Sequence, residues 1–318
     1  MLNSTMNLPS NVLKLMLSSC TQSTWQQYES VLKKYVLFCN NESLDSSKPC
    51  ISSILRFLTS LFESKYSYTY INIARSSLST LLPHIDGLPV GQHPLVIRLI
   101  KGVGRLRPPK PRYDSVWDVS KVLELFNNWP SNDKLSLCDL SLKLVALLAL
   151  VTAQRSQTLF SINVSNILFG DVVKIRINTQ LKTFRPGQVQ PMLVLKPYFV
   201  NEKLCVVSCL KEYLTRTRVL RKKEDKLFVS YSSPHKYVST QTLSRWLCRI
   251  LSKAGIDTNE FKGHSFRHVA TSKAAEKGIP IDTILKKAGW CAGSKVFAKY
   301  YNKPIREDNF AHAVLHAN

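Results

Sequence analysis

A segment with three prolines in four residues divides this chain into two parts of different character. The segment is Arg105–Tyr113 (RLRPPKPRY), with its prolines among positions 108–111. Proline lacks a backbone N–H and clashes with the preceding turn, so no regular helix can continue through these residues. The sequence therefore predicts a linker over residues 105–113 that joins two domains, residues 1–104 and residues 114–318.

The part before the linker has the apolar spacing of amphipathic helices. In residues 50–63, for example, Ile51, Ile54 and Leu55 recur at intervals that place them on one helix face. Short loops between such helices are typical of a small bundle, and the spacing also allows a short helix over residues 11–19. The four helices predicted here are Thr24–Asn40, Cys50–Glu63, Ser67–Leu82 and His93–Gly104.

The part after the linker mixes helices with a pair of strands. Its longest apolar run, Leu144–Val151, predicts a buried helix over residues 135–154. Residues 172–177 (VVKIRI) alternate apolar and cationic side chains, which is typical of a half-exposed strand, and residues 190–195 are the expected partner. The fold class predicted is mainly α with a small antiparallel β-sheet. Further helices are predicted over residues 119–129, 205–220, 240–253, 265–277 and 281–287.

The charge balance is strongly basic. The chain has 44 Lys and Arg against 21 Asp and Glu, a formal net charge of +23. Such an excess predicts a polyanionic partner, most often nucleic acid, although a ribosome-like or membrane-surface protein would share it. No run reaches the roughly 18 apolar residues that span a bilayer, and the first residues lack the features of a secretory signal. The eight cysteines form no Cys-x-x-Cys pair, which favours reduced thiols in an intracellular protein and no metal site.

Three cations in the second part are candidates for binding a phosphate. His264 and Arg267 lie three residues apart in Gly263–His268 (GHSFRH) and share a helix face. Taken alone, this spacing is more often structural, with the histidine packed on its helix and the arginine paired with an acid. Arg155 follows the most apolar helix, where an arginine is costly without an anionic partner. No Asp or Glu lies between residues 139 and 171, which weakens a pairing with a nearby carboxylate.

The remaining candidates would supply the chemistry of cleaving a phosphodiester. Cleavage by a side chain needs donors on the phosphate oxygens, a proton donor for the leaving oxygen and a nucleophile held in line. Lys182 could donate that proton, unless it is one of many surface lysines, and Arg185 competes in the same loop. Trp290 offers an indole N–H unless it is a core residue. Tyr300 and Tyr301 are candidate nucleophiles, and on a helix they would point about 100° apart, so one of them enters the site. Attack by tyrosine needs no metal and no nucleotide cofactor.

The order of these residues resembles that of the tyrosine recombinase, or phage integrase, family. The phrases Leu181–Gly187 (LKTFRPG) and Phe297–Pro304 (FAKYYNKP) are similar to a eukaryotic branch that includes Crypton and DIRS-type transposons. The resemblance covers the whole chain. It implies an N-terminal helical core-binding (SAM-like) bundle, a basic linker and a mixed α/β catalytic domain. The residues that carry it are Arg155, Lys182, His264-x-x-Arg267, Trp290 and Tyr301.

The resemblance also implies a mechanism. Tyr301 would attack a DNA phosphodiester to form a 3′-phosphotyrosine link, with Tyr300 as the alternative nucleophile. Strand exchange and rejoining would follow without metal or ATP, on a homotetramer that holds two DNA duplexes, in the nucleus if the host is eukaryotic. The other roles implied are first catalytic arginine for Arg155, general acid for Lys182, and phosphate binding for His264 and Arg267. Trp290 would be the catalytic residue at the position where many bacterial members have His and Cre-like members have Trp.

One position departs from the family. Many members have an acidic residue three positions after the first arginine, where this chain has Thr158. A domesticated DNA-binding protein that has lost catalysis is therefore the alternative function. A topoisomerase-like nicking enzyme would share the same chemistry.

Contacts with DNA are expected from the first part and from the linker. The helix Ser67–Leu82 would bring Tyr68, Tyr70 and Arg75 to the DNA, although both tyrosines could be ordinary surface aromatics. A linker this basic is expected to lie along a phosphate backbone. Its cations are Arg105, Arg107, Lys110 and Arg112, and Arg185 in the predicted strand loop is a further candidate.

Overall fold

A computed structural model describes residues 9–109, 113, 115–179, 181 and 192–290 of the chain. The chain divides into two compact units, residues 1–110 and residues 111–318. Helices dominate both units, and the second also holds a three-stranded antiparallel sheet. The predicted fold class is therefore confirmed.

The first unit is a helical bundle. The helix α4 (Tyr68–Leu81), like most of the others, begins at a side-chain cap: the hydroxyl of Ser67 accepts the backbone N–H of Tyr70. Fully buried rings and aliphatic side chains such as Tyr35, Phe57 and Leu78 fill the centre of the bundle. The helices are α1 (Ser10–Leu17), α2 (Gln22–Asn41), α3 (Ile51–Glu63), α4 (Tyr68–Leu81) and α5 (Pro94–Leu106).

Residues at both ends of the predicted linker contact the folded units. The helix α5 continues through Leu106 and stops before Pro108, because a proline disfavours the helical conformation in the residue that precedes it. The Arg107 guanidinium then donates to the carbonyl oxygens of Phe62 and Tyr66 and lies 4.1 Å from the centre of the Phe62 ring. At the other end Tyr113 is buried in the core of the second unit. Arg107 and Tyr113, near the two ends of the predicted linker, thus contact the first and the second unit respectively.

The second unit is built around one helix that is buried almost all round. This helix, α7 (Leu137–Thr152), corresponds to the apolar run. Three helices pack against it: α9 (Val206–Thr217), α10 (Thr240–Lys253) and α11 (Ser265–Glu276). Its buried side chains include Leu140, Leu144 and Leu148. The helices of this unit are α6 (Val119–Asn128), α7, α8 (Ser156–Phe160), α9 (Val206–Thr217), α10 (Thr240–Lys253), α11 (Ser265–Glu276) and α12 (Ile281–Ala288).

The sheet follows the predicted alternation. Its strands are β1 (Ile167–Leu168), β2 (Val173–Arg176) and β3 (Met192–Leu195), in the order β1-β2-β3. Ile175 pairs with Leu193 on one side and with Ile167 on the other. In β2 the apolar residues are buried and the two cations are exposed. The strand β1 was not predicted, because two residues are too few to show an alternation.

Candidate active site

The turn between α7 and α8 is the first component of the site. Ala153 ends α7 in the left-handed conformation, with φ of 51°, and Arg155 takes the cap position of α8. That conformation costs a non-glycine residue about 1 kcal/mol or more, and such strain is concentrated at functional sites. Arg155 is half-buried, and among the described residues no hydrogen bond or ion pair involves its side chain. A carboxylate partner for Arg155 is therefore not found in the part of the chain that the structure describes.

Arg267 joins this turn to the end of another helix. Its side chain is buried, and its Nη1 donates to the carbonyl oxygens of Ala153 and Ala288, each at 2.7 Å. These carbonyls lie at the C-terminal ends of α7 and α12, where the helix leaves them without an internal partner and with partial negative charge. A planar cation with five N–H donors satisfies both at once.

A second hydrogen bond holds the same two segments together. The side-chain amide of Gln154 donates to the carbonyl oxygen of Lys287 at 2.8 Å. The Nζ of Lys287 is in turn 3.2 Å from the carbonyl oxygen of Val194, on β3. Burial lowers the pKa of Lys287, and the nearby Lys196 lowers it further. The turn that carries Arg155 is thus fixed against the end of α12 by two side chains, Gln154 and Arg267.

Trp290 lies directly against Arg267. The chain leaves α12 through Gly289, whose φ of 69° is readily adopted only by glycine, and the backbone N–H of Trp290 bonds back to Leu285. The Arg267 guanidinium carbon lies 4.1 Å from the centre of the indole ring, a cation–π contact. Two residues that the sequence singled out separately are therefore in contact.

His264 stands at the start of the helix that carries Arg267. It takes the cap position of α11, and its Nδ1 is 3.2 Å from the phenol oxygen of Tyr113. The residue before it must be small, because a Cβ on Gly263 would lie 2.7 Å from the backbone oxygen of Ser244. The next residue, Ser265, accepts the buried indole N–H of Trp117 at 2.8 Å. The start of α11 is therefore fixed by its contacts with Tyr113, with the Ser244 backbone and with Trp117.

The structure brings together part of the predicted site. The segments of Arg155, Arg267 and Trp290 meet through the contacts above, and His264 lies one helix turn from Arg267. Thr158 is buried on α8, and its backbone N–H bonds the carbonyl oxygen of Arg155 at 2.9 Å. The other candidates lie outside the described residues: Lys110, Arg112, Lys182, Arg185, Tyr300 and Tyr301.

Three neighbours of the site were missed at the level of sequence. Gln154 and Lys287 contribute through the hydrogen bond from the Gln154 side-chain amide to the Lys287 carbonyl oxygen. Tyr113 was predicted to lie in the linker. A polar residue beside a candidate arginine at the end of an apolar helix is a signal that could have pointed to Gln154. A backbone carbonyl such as that of Lys287 carries no such signal, because every residue has one.

The predicted DNA contacts in the first unit are more buried than expected. Tyr70 stacks on Tyr66 with ring centres 4.6 Å apart, and burial raises the pKa of Tyr70. A Cβ on Gly104 would lie 3.1 Å from the Tyr68 ring, so that ring packs on α5. Arg75 is half-buried, and Arg105 is exposed. Both tyrosines therefore contribute to the packing of the bundle and are not free surface aromatics.

Among the residues that the structure describes, no helix is both long and apolar enough to cross a bilayer. In the same residues no three His, Cys, Asp or Glu side chains gather in a way that could hold a metal ion.

Residues 119–306 match the family model described as "Phage integrase family". Three solved structures that share the fold are similar to this chain. A lambda integrase dimer bound to a COC′ core site has 17% identity and a TM-score of 0.58, and the match covers 94% of this chain and 95% of that one. A lambda integrase tetramer bound to a Holliday junction has 17% identity and a TM-score of 0.54, with 91% and 74% covered. A Tn1549 transposon integrase in complex with circular intermediate DNA has 14% identity and a TM-score of 0.53, with 86% of each chain covered. A comparison with curated proteins gave no match.

Proposed function

This chain belongs to the phage integrase family, and from that premise we propose that it is a site-specific DNA recombinase that cuts and rejoins strands through a tyrosine. The observation that carries the proposal is the bond from Arg267 to Ala153, because it draws the second predicted arginine to the turn that bears the first. Two guanidinium groups in one region suit a phosphate, which Arg binds through parallel N–H donors.

The proposed cleavage step is a displacement at phosphorus. Tyr301 loses its phenol proton to water as its oxygen forms a bond to the phosphorus. The bond from phosphorus to the 5′ oxygen breaks, and the Lys182 ammonium gives a proton to that leaving oxygen. The product is a 3′-phosphotyrosine and a free 5′ hydroxyl. Attack of a 5′ hydroxyl on this link reverses the step and releases the tyrosine. The phosphodiester bond is exchanged and never hydrolysed, so the cycle needs no ATP.

The described residues stabilise the phosphate in this proposal. Arg155, Arg267 and His264 donate hydrogen bonds to its non-bridging oxygens, where charge develops during the displacement. Trp290 holds the Arg267 guanidinium in plane from one face, while the carbonyls of Ala153 and Ala288 hold Nη1. Side-chain cations supply the charge, and for this reason no metal is required by the mechanism.

DNA binding is assigned to both units. The residue Arg105 is exposed, and together with Lys110, Arg112 and Arg185 it is proposed to meet phosphates. Arg107, whose guanidinium also donates to the carbonyl oxygens of Phe62 and Tyr66, stays a proposed DNA contact. The lambda integrase relative is a tetramer on a Holliday junction. We propose the same assembly for this chain, on two duplexes. We also propose that it is a nuclear protein of the Crypton- or DIRS-like branch. Its proposed parts are a binding domain (residues 1–104), a linker (105–113) and a catalytic domain (114–318).

The alternative is a DNA-binding protein of the same fold without catalysis. Thr158 favours it, because the position is buried and neutral where many family members carry an acid. The choice between the two depends on whether a covalent adduct with DNA forms.

A covalent trapping experiment separates the two functions. Duplexes with a randomised segment are first selected for binding to the protein. The selected site is then rebuilt as a series of duplexes, each with a nick at a different position along one strand. Cleavage next to a nick releases a short fragment, so the reaction cannot be reversed. The proposed recombinase gives an SDS-stable adduct that survives a chelator and disappears in Tyr301→Phe. Binding to the selected site without any adduct establishes the alternative. Loss of the adduct in Tyr300→Phe alone moves the nucleophile by one residue, and Tyr237→Phe, at an exposed position, is the control.

A further inference from the structure

Tyr113 is held by aromatic contacts on several sides. It is 3% exposed. Its ring lies tilted on Phe261 and on His264, with centres 5.6 Å and 5.0 Å away, and meets His268 edge-on at 5.1 Å. A phenol fixed in this way has a hydroxyl group whose position is determined by the core and not by solvent.

One hydrogen bond of that hydroxyl has a fixed direction. The backbone N–H of Lys262 points to the phenol oxygen at 3.3 Å, and a backbone N–H can only donate. The oxygen therefore accepts at this contact. The same oxygen lies 3.2 Å from the Nδ1 of His264, which is close enough for the phenol to donate its hydrogen there.

An Nδ1 that accepts a hydrogen bond determines where the imidazole carries its own hydrogen. A neutral imidazole has a single N–H, so acceptance at Nδ1 leaves the hydrogen on Nε2. If the ring gains a second proton, Nδ1–H can donate to the same phenol oxygen, which has a further lone pair. In both states Nε2 is a donor, which is the form that a phosphate oxygen requires.

We propose that Tyr113 is a positioning residue that holds His264 with its Nε2–H directed to the scissile phosphate. This inference rests on the proposed function for its consequence, although the hydrogen bond itself does not. Tyr113 lies before residues 119–306, the part matched by the family model, so that match does not cover it. In a chain with Thr158 at the family's acidic position, a phenol from a different segment supports the site.

Tyr113→Phe tests the proposal because it keeps the ring and removes only the hydroxyl. We expect affinity for the selected duplex to stay within about twofold, while adduct formation slows about tenfold or more, the effect typical of losing a group that orients an active residue. The pH dependence of adduct formation should also shift, since the phenol no longer stabilises one tautomer. Tyr237→Phe removes an exposed phenol hydroxyl and should change neither quantity.

A spectroscopic measurement makes the result independent of activity. Long-range ¹⁵N–¹H correlation spectra of the seven histidines, with His264 assigned by its loss in His264→Gln, report which ring nitrogen carries the hydrogen. The Nε2–H form in the wild type and a mixture in Tyr113→Phe support the proposal. The Nδ1–H form in the wild type, or an unchanged spectrum in the variant, overturns it. Absence of any adduct with the expected spectra would sink the proposed function and leave the Tyr113–His264 bond standing.

Discussion

The Arg267 guanidinium donates a 2.7 Å hydrogen bond to the carbonyl oxygen of Ala153, which lies 114 positions earlier in the chain. Ala153 closes the buried helix α7, and Arg155, two residues later, is the cap residue of the next helix. A side chain on α11 therefore fixes the backbone from which another candidate phosphate ligand projects. This relationship predicts that the two arginines affect cleavage together but affect stability differently.

Arg267→Lys should damage both stability and cleavage. An ammonium group cannot satisfy the carbonyls of Ala153 and Ala288 with the geometry of a planar fork, so we expect the free energy of unfolding to fall by about 1–3 kcal/mol. Adduct formation should slow by about 100-fold or more, because a donor to the developing charge is displaced. Urea titration and single-turnover trapping measure the two effects. Arg245→Lys, at an exposed arginine on α10, should leave both unchanged.

Arg155→Ala should separate the two effects. The side chain is half-buried and has no hydrogen bond or ion pair among the described residues, so the free energy of unfolding should change by less than about 0.5 kcal/mol. Adduct formation should nevertheless fall by about 100-fold or more. An unfolding free energy that drops as far as in Arg267→Lys would assign Arg155 a structural role. Arg218→Ala, an exposed cation at the end of α9, is the control.

Gly263→Ala should displace the start of α11. The added Cβ would meet the backbone oxygen of Ser244 at 2.7 Å, and a backbone atom cannot move aside as a flexible side chain can. We expect a loss of about 1–3 kcal/mol in the free energy of unfolding and slower cleavage through His264. Gly102→Ala is the matched control, because nothing lies within 4 Å of its added Cβ and it sits inside α5. That variant should be stabilised by about 0.5–1 kcal/mol. Equal effects at the two glycines would contradict the packing argument.

Asp118 should give one step in the pH dependence of stability. It caps α6: its carboxylate accepts the side-chain hydroxyl of Ser120 at 2.6 Å and the Ser120 backbone N–H at 3.0 Å. Both bonds lower the pKa of Asp118 in the folded state, and the bond from the hydroxyl has the larger effect. The stabilisation is therefore complete above the pKa of the unfolded chain and is lost as the pH falls through the lower, folded value.

The test of the cap compares variants at two pH values. At neutral pH Asp118→Ala should lower the free energy of unfolding by about 1 kcal/mol. In acid, below the folded pKa, the difference from the wild type should shrink. Asp118→Asn keeps the cap without the charge and should show no such step at this site. A gap between wild type and Asp118→Ala that stays constant with pH would be inconsistent with an ionised cap.

The helices and the paired strands were predictable because their patterns are local. Thr240–Lys253 was predicted with the bounds that the structure shows, and the buried run at α7 was clear from composition alone. The contacts of Arg107 and Tyr113 at the two ends of the linker were not predictable, since their partners lie in folded cores that a local pattern does not reveal. A Pro-rich stretch predicts where a helix cannot continue but not which flanking side chains are buried.

The candidate site was predictable in its residue types and only partly in its contacts. Spacing placed His264 and Arg267 on one helix face, but the partners of Arg267 proved to be carbonyl oxygens of Ala153 and Ala288. Backbone groups are present at every residue and leave no mark in a sequence. The assignment of Lys182, Tyr300 and Tyr301 stays a prediction, because these residues lie outside the described part of the chain.

The proposed recombinase must form a covalent bond between DNA and one C-terminal tyrosine. The measurement is mass spectrometry of the trapped adduct after nuclease and trypsin digestion, with fragmentation that locates the nucleotide remnant on the peptide over residues 300–306 (YYNKPIR). We predict the remnant on Tyr301, in the wild type and in Tyr237→Phe, and none in Tyr301→Phe. A remnant on a residue outside this peptide, or a selected duplex that is bound tightly and never linked, would contradict the account.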